Sequence, residues 1–208
     1  EFYPDRVRSW DLEEGRAVML PAGSLGVMVG LLCALLRGDF DSIEAALATP
    51  GEGWAQDPLL SAPEVVANVQ EQLDLEKDAA RYWLQLLALP NPKDANIHRW
   101  NGWARAKRLK AAAPLIEQGL VVEAKRSRAG RSLFLPGGWL EASAPHLPVE
   151  VWKAPFFNLY DEPKVRPRLG AVLPLVPIAQ LFADAWQRYR DGDAPGYTEL
   201  RTERYRRR

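Results

Sequence analysis

The sequence predicts a mainly α-helical fold: a helical bundle plus one β-hairpin, with a helical N-terminal part and a proline-rich C-terminal arm. Three observations carry this prediction. Apolar side chains recur at three- and four-residue spacing between Ser61 and Gln118 and again between Ile178 and Tyr189, the period of an amphipathic helix. Two short runs, residues 121–125 and 131–135, flank a turn that holds Gly130, the pattern of a hairpin. Eight prolines fall within residues 136–177, where they limit long helices and strand pairing alike. With 208 residues, 47% of them hydrophobic, the chain is long and apolar enough to build a core. The composition divides it into a helical N-terminal subdomain over 1–60, a central domain over 61–140, and an arm, helix and tail over 141–208.

The N-terminal part opens on Ala17 to Leu36, a stretch without a charge. Pro21 and Gly23 interrupt it, so a helix is expected only from Ser24 to Gly38. That length spans roughly 21 Å, short of the ~30 Å core of a bilayer, and predicts a buried helix rather than a membrane span. Cys33 within it reads as an inert core residue. Asp41-Ser42 caps a short helix from Ile43 to Ala48, and residues 49–53 form a loop. The chain starts at Glu1 rather than Met, and is read as a fragment of a longer polypeptide, with Glu1-Phe2 a cloning remnant.

In the central part, Ser61-Ala62-Pro63-Glu64 signals a helix start, followed by Val65, Val66, Val69 and Leu73. A second helix runs from Lys77 to Leu89, with Ala80, Trp83, Leu84 and Leu87 on one face, and Pro90 and Pro92 stop it. Asp94 is expected to cap a third, short helix that covers Ile97, Trp100 and Trp103, its length limited by Gly102. A fourth helix, 104–118, ends at Gly119. Its expected apolar face is Leu109, Ala112, Ala113 and Ile116, with Lys107 and Lys110 opposite and Arg108 at the edge. Pro114 is expected to kink it. The hairpin follows, with Lys125, Arg126, Arg128 and Arg131 at its turn. In the C-terminal third, Trp139, Trp152, Phe156, Phe157 and Tyr160 are interleaved with prolines and predict an extended arm packing across the domain, or a docking segment for a partner. Ile178 to Tyr189 is an amphipathic helix, and the tail ends in four arginines within its last five residues.

The net charge of zero conceals an asymmetry. Residues 1–98 carry 7 basic and 16 acidic side chains, whereas residues 99–131 carry 9 basic and 2 acidic. Local fields follow the regional charge, so a nucleic-acid partner is not excluded by the total. Arginine (20) outnumbers lysine (7) and alanine is abundant, compatible with a GC-rich bacterial genome. A single cysteine excludes an internal disulfide and any multi-cysteine zinc site, and two histidines, His98 and His146, leave little for a metal centre. Neither a glycine-rich phosphate loop nor a nucleophile motif is present, so no catalytic residue and no cofactor is expected. His98 reads as a surface or capping residue.

The order helix, short helix, basic helix and basic hairpin resembles the winged form of the helix-turn-helix. Leu115-Ile116-Glu117-Gln118-Gly119-Leu120-Val121, followed by Arg126 to Leu135, is similar to the recognition-helix end and wing of MarR-like regulators. The resemblance covers about residues 77–136. It implies that the helix enters the major groove and the wing touches the adjacent backbone. Arg105, Lys107, Arg108 and Lys110 would then be helix contacts, and Lys125, Arg126, Arg128 and Arg131 wing contacts. A second helix-turn-helix pattern, Val69 to Glu76 followed by Asp78 to Arg81, sits in acidic surroundings and reads as structural. The expectation is a cytoplasmic, non-enzymatic, bacterial DNA-binding regulator, with double-stranded DNA as partner, no membrane association, and homodimerisation possible through the N-terminal part. The competing expectation is a protein-interaction module of a larger polypeptide, docking through the winged helix.

Overall fold

The computed structural model describes residues 38, 40–48, 53–140, 149–160, 166–167 and 172–196. The expected helix from Ser24 and the basic tail lie outside the described residues. Helix α1 covers Asp41–Ala48 and α2 Pro58–Ser61. Then follow α3, Pro63–Leu73; α4, Lys77–Ala88; α5, Asp94–Asn101; and α6, Arg105–Glu117. Three short antiparallel pairs come next. Strand β1, Val122–Glu123, pairs with β2, Leu133–Phe134; β3, Trp139–Leu140, with β4, Val149–Glu150; and β5, Leu159–Tyr160, with β6, Arg166–Pro167. A 3₁₀ segment, Val151–Phe156, follows β4, and α7 covers Ile178–Arg190. The fold is mainly α.

Local chemistry accounts for the boundaries. The Asp57 carboxylate accepts the Leu59 N–H at 3.0 Å and caps α2, with Pro58 preset in its first turn. Ser61, expected to cap the next helix, instead closes α2, and α3 starts at Pro63 without a side-chain cap. A proline in the first turn removes one orphan donor and lessens the need for one. Asp74 ends α3 in the left-handed region, φ 49°. Asp94 does not cap α5 either: Lys93 holds that position, and the carboxylate is used elsewhere. Helix α6 runs unbroken through Pro114. Its end is closed by Gly119 at φ 69° and by the Leu120 N–H, which donates to the Leu115 carbonyl at 2.9 Å.

Helix α4 is the axis of the core. Every residue from Ala79 to Ala88 is buried, so the one-sided face expected for it is buried all round. Helices α3, α6 and α7 all pack on it. From α7, Leu181, Phe182, Ala185 and Trp186 enter the same core as Val65, Val66 and Val69 of α3, across the boundary expected near residue 140. Trp83 meets Trp186 edge-on at 5.8 Å and Tyr189 at 4.9 Å, a geometry aromatic quadrupoles favour. The Trp186 indole N–H donates to Asn68 Oδ1 at 3.1 Å, and that of Trp152 to the Asp193 carbonyl at 2.8 Å. Of the aromatics in the proline-rich segment, Trp152 and Phe157 enter the core and Phe156 packs against it.

Several buried polar groups are cross-linked. Arg81 forms a two-pronged pair with Asp57, its Nε 2.7 Å from Oδ1, and so ties α4 to α2. Gln85 and Asn101 exchange two amide hydrogen bonds of 2.8 Å between α4 and α5. The second helix-turn-helix pattern is therefore occupied internally at Arg81, the residue that would have reached outward.

Candidate nucleic-acid interface

The basic stretch folds as α5, a three-residue turn, α6, and the β1–β2 hairpin; α5 stops at Asn101 because Gly102 takes a left-handed conformation, so Trp103 lies in the turn and not on the short helix. Gly102 opens the turn at φ 67°, a backbone region that glycine enters without strain. His98 Nδ1 lies 2.6 Å from the Trp103 carbonyl and holds the turn, so this histidine closes a bend. The hairpin is narrower than the sequence suggests. Only Val122↔Phe134 and Glu123↔Leu133 pair as strands, with one more bond from the Ala124 N–H to the Ser132 carbonyl at 2.9 Å. The loop between turns through Arg128 (φ 62°) and Gly130 (φ 64°).

Two of the eight expected contact residues point into the protein. Arg108 is only 8% exposed, and its Nη2 lies 2.7 Å from Asp94 Oδ2. The Asp94 backbone N–H donates to the Gly130 carbonyl at 3.0 Å, so Asp94 joins α5, α6 and the hairpin loop. Burial raises the Asp94 carboxyl above its usual range, against the pull of Arg108 and Arg131. Arg131 is 9% exposed. It donates through Nη1 to the Leu133 carbonyl at 2.8 Å and through Nη2 to Glu150 Oε1 at 2.7 Å. Glu150 Oε2 in turn sits 3.1 Å from the Lys153 ammonium, which donates to the Leu89 carbonyl at 3.0 Å. This Arg131–Glu150–Lys153 triad fastens the hairpin, β4 and the end of α4 together. Burial alone would raise Glu150; Lys153 and Arg131 hold it below the ordinary carboxylate range. Burial pushes Lys153 down to about 8, with Glu150 opposing and Arg131 adding to the shift.

The outer side is different. Arg105, Lys107, Lys110, Lys125 and Arg128 are exposed. Lys107 forms a surface pair with Asp78 at 3.0 Å, of a kind worth little in water. Lys77, Lys107 and Lys110 line an open groove of about 750 Å³ between α6 and the start of α4 together with the carboxylates Glu76 and Asp78, with Ala79, Ala106 and Pro114 as its apolar lining. Arg126 is half-buried, its guanidinium 4.8 Å from the Trp139 ring and 5.1 Å from that of Phe134. It stands between the two groups.

The face of α6 is also rotated from expectation. The buried side is Arg108, Ala111, Ala112 and Leu115, whereas Leu109 is 50% and Ile116 37% exposed, with Ala113 exposed between them. Two stripes compete along this helix, offset by one residue. The Asp94 pair draws Arg108 inward and selects the stripe that an apolar count ranks second. No local pattern marks Glu150, Lys153 or Trp139 as partners of the basic residues, beyond the (i, i+3) spacing of Glu150 and Lys153.

No family model, no curated protein and no solved structure matches this chain. Among the described residues no helix is long and apolar enough to cross a membrane. No group of three His, Cys, Asp or Glu side chains among them is placed to hold a metal ion.

Proposed function

We propose that this chain is a non-enzymatic DNA-binding module of winged-helix type, with α6 laid in the major groove and the hairpin loop on the adjacent backbone. One observation carries the reading. Once the internal pairs of Arg108 and Arg131 are set aside, five of the expected basic side chains still stand exposed on the helix and loop. Only Glu117 and Glu123 add exposed negative charge on α6 and the hairpin. A helix of about 10–12 Å diameter fits a major groove about 12 Å wide. Lysine and arginine held on rigid elements displace the counterions of DNA, which makes affinity steeply salt-dependent. A role in transcription regulation and a cytoplasmic location follow from this reading.

Fluorescence anisotropy with random-sequence duplex DNA at two salt concentrations tests it. Binding that weakens as salt rises supports the reading, and no binding at low salt overturns it. A second reading is docking of a protein partner on the same surface, a second copy of this chain included. The exposed Leu109 and Ile116 favour it, and it predicts association that does not depend on DNA.

A further inference from the structure

Arg126 and Arg131 share one pair of rings but not one kind of partner. The Phe134 and Trp139 rings meet edge-on at 5.2 Å. The Arg131 guanidinium lies 4.6 Å from the Phe134 centroid and 5.8 Å from that of Trp139, and it also holds Glu150 at 2.7 Å. The Arg126 guanidinium lies 5.1 and 4.8 Å from the same two centroids. No carboxylate among the described residues pairs with it, and its buried Nε has no hydrogen-bond partner. Glu150 stands opposite Trp139 on the β3–β4 ladder, but its two oxygens are engaged by Arg131 and Lys153. Residues 124–132 contain no acidic side chain. The exposed Glu123 precedes them on β1.

The two ways of holding an arginine differ in consequence. A carboxylate immobilises a guanidinium and cancels its charge. A ring face immobilises it through the ring quadrupole and leaves the charge in place. Arg126 is therefore restrained, partly exposed and not neutralised. A free arginine gives up rotamer freedom when it grips a phosphate, and one already stacked gives up less. Of the two rings, Phe134 is fully buried, whereas Trp139 is half-buried and lies outside the core cluster. Resting on the duplex-binding reading above, we infer that Trp139 is a positioning residue for DNA binding: its ring fixes the Arg126 guanidinium, so that the hairpin presents a preordered cation to a phosphate of the duplex. Trp139 acts through Arg126 and not by a contact of its own.

The test titrates the full 208-residue chain with random-sequence duplex DNA over a series of salt concentrations, read by fluorescence anisotropy. Trp139→Leu should weaken binding about three- to tenfold. It should leave the slope of log affinity against log salt unchanged, since no charge is lost. Arg126→Ala should lower that slope by about one. In the Arg126→Ala background, Trp139→Leu should have no further effect on affinity, because the group it positions is gone. A ring with a merely structural role weakens binding equally in both backgrounds, and that result overturns the inference. Wild-type affinity in Trp139→Leu overturns it too. Arg126→Lys keeps the charge but not the planar stack, and carries the test if circular dichroism shows Trp139→Leu unfolded. It should bind about three- to tenfold more weakly with the wild-type slope, and wild-type affinity there overturns the inference. In each of these cases salt-dependent binding by the wild type leaves the duplex reading standing. Absence of wild-type binding to duplex overturns both.

Discussion

Arg105 and Arg108 lie three residues apart on α6, and Arg128 and Arg131 three apart at the hairpin. In each pair one arginine is exposed and the other is buried against a carboxylate. The chemistry of the side chain is the same, so the difference comes from what the fold places opposite it. Arg108 meets Asp94 of α5, and Arg131 meets Glu150 from β4. Isolated, a buried guanidinium would cost several kcal/mol, and its carboxylate makes the burial tolerable. A dense run of basic residues therefore serves two ends here. Its inner members hold the helix and hairpin in place, and its outer members form the charged surface. The net charge of the stretch overstates the charge that reaches the surface.

Breaking the inner set should have the largest effect. Glu150→Gln leaves Lys153 and Arg131 buried without their counter-charge, and should destabilise the fold by about 3–5 kcal/mol in chemical denaturation. Lys153→Met should cost less, because it removes the buried ammonium while Glu150 keeps its pair with Arg131, and because the aliphatic side chain fills similar space. Asp94→Ala strands Arg108 at a site closer to solvent and should cost about 2 kcal/mol.

A further effect is smaller and follows pH. Lys153 releases its proton near pH 8 in the folded chain and near its ordinary value, 10.5, when unfolded. Between these values the unfolded state binds more protons, so stability should rise as pH increases from 8 to 10. The slope is at most about 1.4 kcal/mol per pH unit. Above pH 10 the trend should reverse, since burial raises the Tyr82 and Tyr189 phenols and the unfolded chain then loses protons first. At the acid end, Glu150 is held low, so its contribution is present above the ordinary glutamate value and disappears as pH falls through its folded pKa. Denaturation midpoints at pH 8, 9 and 10 check the alkaline limb, which Lys153→Met should flatten.

Much of the fold is legible in the sequence. The stops at Pro90 and Gly119, the turn at Gly102, the hairpin centre and the amphipathic run from Ile178 are local signals, and each local rule agrees with the global fold. What could not be read is pairing between distant segments. Asp57 lies 24 residues from Arg81, and Glu150 19 from Arg131. No spacing rule links such partners. The same gap hides the rotation of α6. Leu109 and Ile116 look like core residues by hydropathy, yet the ion pair at Arg108 and the side chains of Ala111, Ala112 and Leu115 decide which way the helix faces. Burial of Arg108 and Arg131 thus removes two residues from the expected contact set, while the exposure of Arg105, Lys110 and Lys125 keeps three of the others available.

The claim that the outer set meets DNA is tested most directly by the salt dependence of duplex binding. Arg105→Ala, Lys110→Ala and Lys125→Ala, made together, should leave stability within about 0.5 kcal/mol for each surface change. The slope of log affinity against log salt should fall by about one for each phosphate that is no longer neutralised. A steep wild-type slope that shrinks by about three in the triple variant is the predicted result. A folded triple variant whose affinity and slope match the wild type, or a wild-type chain that binds no duplex at low salt, would contradict it.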